Sequence, residues 1–314
     1  MASSRSVVLA ALFANGAIAI LKFIGFLLTG SPSMLSETYH SISDTGNQVF
    51  LLIGLRFSQR SASRKHPFGY GKAQFFYSFL VSVLLFGIAG WESAKHGYHA
   101  LMNPHPPEMT TATLPVVDIT VDAVMINYAV LIGAILFESY AFQQAYRNMR
   151  RQIKANNWSG FREAFRKTSD VTVLTALTED TIALAGAGIA LIGIYLTRVT
   201  QNPVYDAATA LLIGLMLMGF ALALAWENKR LLLGESVPAD QEGQMRERIR
   251  AHPEVVELVD FRTVYFGPNR VVATADINFA DGLSTTEMED HIDAIEAELM
   301  QANDDISRVY IEPV

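Results

Sequence analysis

The sequence predicts an α-helical membrane protein: six transmembrane helices followed by a small soluble α+β domain. Three observations predict it. Of the 314 residues, 51% are hydrophobic, and the mean hydropathy of +0.24 is high for a soluble chain. Six apolar stretches are each long enough to cross ~30 Å of hydrocarbon, which takes about 20 helical residues. From Glu235 onward the character changes: that segment holds 18 acids and 6 bases, whereas the preceding 234 residues hold 13 and 18. An acidic tail repels nucleic acid and attracts cations. The chain has no cysteine. Disulfides, thiolate metal sites and cysteine nucleophiles are therefore excluded.

The spans fall near 6–29, 33–57, 73–101, 120–146, 171–197 and 203–226. The first begins like a signal peptide, but an apolar run of about 24 residues is too long for a signal core, so it reads as a retained span. Breaks separate the spans at "TGSPS", "RSASRKHPFGYGK", "NPHPPEMTTATLP", the polar run 147–170 and "TRVTQNP". Orientation follows from loop Lys and Arg. Arg56, Arg60, Arg64, Lys65 and Lys72 flank one connection. Arg147, Arg150, Arg151, Lys154, Arg162, Arg166 and Lys167 lie in another, while the alternate connections contribute only Arg198. Both termini are expected in the cytoplasm. The two domains divide at 1–232 and 233–314.

In the tail, "QEGQMRERIRAHP" reads as a helix stopped by Pro253. "VVELVDFRTVYF" and "RVVATADINFA" read as strands around the turn "GPN". "STTEMEDHIDAIEAELMQA" is an amphipathic helix whose Ser284 and Glu287 fit a capping box, and "ISRVYIEPV" is a last strand. The order αββαβ implies a two-layer sheet-and-helix unit, a ferredoxin-like arrangement.

The second span carries "SETYHSISDTGNQ" in otherwise apolar surroundings. His40 and Asp44 are four apart and share a helix face, with Asn47 next along the stripe. At 1.5 Å per residue, Asp44 lies about 16 Å in from the outer end, and Asp180 of the fifth span lies about 15 Å in from the inner end. An imidazole and two carboxylates thus share one depth. Unpaired, each carboxylate costs roughly 2.5–3.5 kcal/mol there. Together they form a ligand set for a divalent first-row metal, zinc first. The ligands bind only when deprotonated, so metal and protons compete for one site. A polar clamp that merely holds the bundle is the plainer account, yet paired carboxylates at one depth more often serve an ion pathway. Membrane acyltransferases use His-x4-Asp. Here the spacing is His-x3-Asp with no nucleophile nearby, which argues against an enzyme.

With "LSETYHSISDTGNQ", "HPFGYGKAQFF", "LLLGESVP", a carboxylate in the fifth span and an αββαβ tail, nearly the whole chain resembles the cation diffusion facilitators. The resemblance implies a homodimer that exports divalent metal against protons by alternating access, without a catalytic cofactor. By matching position it implies metal ligation by His40, Asp44 and Asp180. Many zinc members have His or Asp four residues before the last acid; this chain has Ala176. Glu179 and Asn47 are the candidates for a fourth ligand, and more oxygen donors bring manganese, iron or cobalt into play. A non-transporting metal sensor or scaffold is the rival class. Some members also bind metal in the cytoplasmic loop. Here Ser63 and Tyr70 stand at the partner positions of His66, so that loop site is expected to be absent. The resemblance further implies a Lys72–Glu235 pair that interlocks the charges at the dimer. The plasma membrane is the expected location.

Among the other polar residues, Lys22 is expected to snorkel from the outer end of the first span. Asp122 is expected near an interface, while Glu92 and Glu138 lie deeper as proton-relay or packing candidates. Asn15 is a candidate lining group. His291, with Glu289, Asp290 and Asp293 beside it, reads as a solvated helix face, and His252 is the other tail histidine. His99 and His105 carry no assigned role.

Overall fold

The computed structural model describes residues 2–104, 111–114, 119–168 and 171–314. His105 lies outside them. The chain divides into two compact units. The first comprises Met1–Ile53, Tyr77–Phe165 and Thr172–Trp226; the second comprises Gly54–Phe76, Arg166–Val171 and Glu227–Val314.

Helix α1 (Ala2–Thr29) and helix α2 (Pro32–Ser58) are joined by a two-residue break. Gly30 stops α1. Its φ of 63° suits a residue without Cβ, and its N–H donates to the Phe26 carbonyl at 2.7 Å. Ser31 starts α2: its hydroxyl accepts from the Met34 N–H at 3.3 Å, with Pro32 at the first helical position. Helix α3 (Lys72–Leu84) continues through a π-helical turn (Leu85–Gly90) into α4 (Trp91–Met102).

A short antiparallel hairpin follows, β1 (Thr111–Leu114) with β2 (Ile119–Asp122), and then α5 (Ala123–Ala155). The fourth span therefore begins three residues later than its hydropathy implies. Asp122 is the cap, its carboxylate accepting from the Val124 N–H at 3.0 Å. The helix also runs past 146 to Ala155, because no Gly or Pro interrupts Arg147–Lys154; it stops at Asn157, whose φ is 52°. Helix α6 (Phe161–Lys167) is short and charged, and α7 (Val171–Thr200) and α8 (Val204–Leu233) complete the apolar series.

Among the described residues, four continuous helical stretches are long and apolar enough to cross a membrane: Lys72–Met102, Ala123–Ala155, Ala176–Thr200 and Val204–Leu233. Asn15–Thr29 of α1 is a further apolar stretch among the described residues, and α2 is diluted by its polar face. The core of this unit joins Met34, Leu85, Leu131, Ile182, Ile213 and Leu217. Small residues let backbones meet. A Cβ on Gly97 of α4 would sit 2.7 Å from the Leu211 Cα of α8, and one on Gly214 of α8 would sit 2.6 Å from the Ala94 Cα. Outward-facing Leu136, Tyr140, Leu222 and Trp226 are each 60–68% exposed in the protomer, an apolar exterior suited to lipid. The chain is a multi-pass membrane protein.

The second unit contains α9 (Ala239–Arg250), β3 (Val255–Gly267), β4 (Arg270–Phe279), α10 (Thr285–Ala302) and β5 (Ile306–Pro313). The sheet order is β3-β4-β5, antiparallel and then parallel. A parallel neighbour needs a crossover, which α10 supplies. Pro268 and Asn269, the latter at φ 53°, turn the β3–β4 hairpin. Met245 and Ile249 of α9 and Ile295 and Leu299 of α10 share one core with Ala273, Ala275 and Ile277 of β4. The capping box is present: the Glu287 carboxylate accepts from the Ser284 N–H at 2.8 Å. The loop before α3 packs on this unit. Gly69 sits at φ 80°, and a Cβ on Gly71 would collide with the Phe266 carbonyl. The Phe68 and Phe266 rings meet in a tilted contact with centroids 4.8 Å apart. Both glycines of "HPFGYGK" are thus required by geometry.

Candidate metal-ion site

A helix presents residues three and four apart on one face, and α2 uses that spacing to align Glu37, His40, Ser41, Asp44 and Asn47. All five are buried, His40 at 1% exposure and Asp44 at 8%. His40 Nε2 lies 3.4 Å from Asp44 Oδ2. Neither ring nitrogen of His40 makes a hydrogen bond, nor do Asp44 Oδ1 and Asn47 Oδ1. An unsatisfied buried polar group costs about 1–3 kcal/mol. Several such atoms cluster on this one helix face. Imidazole nitrogen with carboxylate and amide oxygens is chemically suited to a divalent cation.

From α7, Glu179 reaches this face: its Oε1 accepts from Asn47 Nδ2 at 2.8 Å. The two candidates for a fourth ligand are thus hydrogen-bonded to each other. Glu179 and Glu138 of α5 lie within electrostatic reach of Asp44. Asp180 is half-buried and electrostatically close to Glu138, but makes no ion pair with His40. Successive helical residues diverge by about 100°, so Glu179 and Asp180 do not face the same way. Among the described residues, no three His, Asp or Glu side chains form a ready metal cage.

Lys22 differs from its expected placement. It does not snorkel: it is 0% exposed and donates to Glu37 Oε2 at 2.7 Å and Ser41 Oγ at 2.9 Å. Sequence reasoning missed Glu37, although it lies three residues before His40. Asp122 is no idle interfacial group, since it pairs with Arg198 as well as capping α5. Glu92 is on the exposed face, 3.6 Å from Lys95, while Glu138 is buried. Asn15 Oδ1 is buried without a hydrogen bond. At the end of the bundle opposite the Lys- and Arg-rich loops, a cavity of about 640 Å³ is lined by Thr29, Ser31, His96, His99, Thr197 and Asp206. Asp206 accepts hydrogen bonds from the N–H and hydroxyl of Ser33.

Within the protomer, Lys72 and Glu235 each have another neighbour. Glu235 Oε2 lies 2.5 Å from Arg230 Nε; burial pushes this carboxyl up, and Arg230 opposes the shift. Lys72 Nζ donates to the Leu232 carbonyl at 3.5 Å and sits 5.0 Å above the Phe266 ring. Arg230 wins Glu235 because it reaches Glu227, at 2.9 Å, and Glu235 at once. The His66 and Tyr70 rings are in tilted contact with centroids 4.3 Å apart. His252 and His291 come edge-to-face at 6.0 Å, a proximity that their separation in sequence conceals.

The chain matches the cation efflux transmembrane domain over residues 8–233 and the cation efflux protein cytoplasmic domain over residues 237–313. It is 30% identical over 280 residues to the human proton-coupled zinc antiporter SLC30A9, mitochondrial, covering 89% of this chain and 46% of that protein. It is 27% identical over 276 residues to metal tolerance protein C4 of Arabidopsis thaliana, covering 88% and 57%. It is 25% identical over 297 residues to the cation-efflux pump FieF of Escherichia coli, covering 95% and 85%. The chain spans about half the length of the SLC30A9 relatives it matches. With a transmembrane domain and a cytoplasmic domain both matched, and the buried polar face of α2 inside the first of them, this chain belongs to the cation efflux family of membrane transporters, the cation diffusion facilitators.

Proposed function

We propose that this chain is one protomer of a homodimeric antiporter that moves a divalent metal cation, zinc first, against protons. One observation carries the proposal: His40 and Asp44 hold ligand-type atoms without hydrogen bonds, buried on a single helix face. In this reading His40, Asp44 and Asp180 bind the ion, and Glu179 or Asn47 supplies a fourth donor. Glu179 and Asp180 differ by about 100° around α7, so exchanging one for the other at the ion requires the helix to turn through a comparable angle. Protons and metal occupy the same groups in turn, and alternating access carries each across.

Residues 1–232 form the transport domain in this reading. Helices α1 and α2 join the four apolar stretches as the first two of six spans; the polar face of α2 points inward, where lipid does not see it. Residues 233–314 form a cytoplasmic dimerisation domain of ferredoxin-like type lacking its first strand. The SLC30A9 relative is named mitochondrial; we keep the plasma membrane for this chain, with the basic loops on the cytoplasmic side.

The test is transport in proteoliposomes containing the full chain. Zinc uptake should dissipate an imposed pH gradient and vanish in Asp44→Ala and Asp180→Ala. Metal binding without any transmembrane flux would instead identify a sensor. A second reading has specific support: Ala176 and the Asn47–Glu179 contact enrich the site in oxygen, which favours manganese, iron or cobalt. Competition among these ions in the same assay separates the readings.

A further inference from the structure

The Lys22–Glu37 pair is the least expected feature of the bundle. Its two charged groups are at most 1% exposed and 2.7 Å apart. Burying such a pair is rarely a gain in stability over apolar packing, and in a membrane helix ionisable groups usually mark the ion path. Glu37 is one helical turn from His40, about 5 Å along the axis, on the same face. Only one of its oxygens is engaged. Oε2 accepts from Lys22, whereas Oε1 is buried with no hydrogen bond. That carboxylate lies against Gly186 of α7, where a Cβ would stand 2.5 Å from Oε1. Three helices therefore meet at a carboxylate of metal-ligand type that is withheld by an ammonium. The charge of Lys22 also acts on His40 and Asp44.

We propose that Lys22 is a resident cation that masks Glu37, keeping it out of the metal's coordination sphere and so limiting how tightly the site holds its ion. This inference rests on the metal site proposed above. With Lys22 and Glu37 cancelling, the charge of the dication is balanced by two carboxylates. Without Lys22, Glu37 is free to coordinate, and the site gains both a ligand and a negative charge. The ion then binds more tightly and leaves more slowly. Lys22 is a positioning and specificity residue: it never touches the ion.

The test titrates the detergent-solubilised full chain with cobalt(II), read by its d–d absorption, followed by displacement with zinc. Lys22→Met should tighten binding about tenfold and change the cobalt spectrum as a carboxylate joins the ligands. Glu37→Gln leaves an uncompensated ammonium and should weaken binding by a similar factor. The charge-balanced double variant should return to within about threefold of the wild type. A pair that only braces the helices would lower thermal stability in all three variants, with cobalt affinity and spectrum unmoved; that result overturns the proposal. So do single-variant shifts of the same sign. Should Lys22→Met fail to fold, Glu37→Gln still decides by its sign, since unchanged or tighter binding contradicts masking. If the wild type binds no cobalt in an Asp44-dependent manner, the underlying site fails first, and the control Asp44→Ala reveals it.

Discussion

Gly214→Ala tests how the bundle is built. Position 214 is on α8 where it crosses α4. An added methyl carbon would lie 2.6 Å from the Ala94 Cα and 2.9 Å from the Ala94 Cβ. Ordinary carbon contacts are ~3.5–4.0 Å, so the two backbones must part by about 1 Å. Neither contacted atom can rotate away, because both are fixed to the helix axis. Overpacking of this kind costs about 1–3 kcal/mol, equivalent to roughly 5–150-fold in an unfolding equilibrium. The control is Gly219→Ala, one and a half turns along the same helix, where nothing lies within 4 Å of the new Cβ. There the helix propensity of alanine should stabilise by up to about 1 kcal/mol. The assay is thermal unfolding of both variants in detergent, with zinc uptake measured well below the transition. Gly214→Ala should unfold at a lower temperature, and Gly219→Ala at the same or a higher one. Equal transitions for the two would mean that α4 and α8 do not meet through these backbones.

Phe261→Ala removes a 2%-exposed ring from the tail core and should cost about 3–5 kcal/mol; limited proteolysis of the full chain should then cut within residues 239–313 first. The Ser284 N–H and hydroxyl hold the Glu287 carboxyl below its ordinary value of 4.5. A depressed folded-state value means that this contribution is present above the unfolded value and is lost as pH falls through the folded one. Ser284→Ala removes the hydroxyl but keeps the N–H, so it should reduce that acid-limb dependence in hydrogen exchange of α10, and Glu287→Gln should abolish it. Arg230→Ala strands both Glu227 and Glu235, whereas Lys72→Ala removes one long hydrogen bond and a ring contact. Amide exchange in residues 227–236 should accelerate more in the arginine variant, and the reverse order would restore Lys72 as the partner of Glu235. Gly186→Ala displaces the Glu37 carboxylate from Lys22 and should shift cobalt affinity in the same direction as Lys22→Met.

The tail was legible because each of its signals is local. Alternation in 255–266 and 270–280 marks strands, and a Ser three residues before a Glu marks the start of a helix. The His40–Asp44 contact was legible for the same reason, since a four-residue spacing fixes a shared face. Interhelical pairings were not. Lys22 and Glu37 are 15 residues apart on two helices, and nothing in either segment names the other. A buried lysine with a partner and a snorkelling lysine have the same hydropathy. The start of α5 was displaced because Ile119–Asp122 is apolar enough to extend a span, while the pairing of β2 with β1 is a contact outside the window. Glu235 offered two nearby cations, and only geometry shows that Arg230 reaches two acids at once.

The clasp of Asp206 on Ser33 fastens the beginning of α2 to the beginning of α8. A rod held at one end behaves as a lever. Asp44 is eleven residues from Ser33, about 16 Å along the axis, and Ile53 is about 30 Å away. A 10° swing about that fulcrum would shift Asp44 by about 3 Å and Ile53 by about 5 Å. Small tilts are therefore magnified towards the basic-loop side, and the fastened end serves as the quiet pole of the motion.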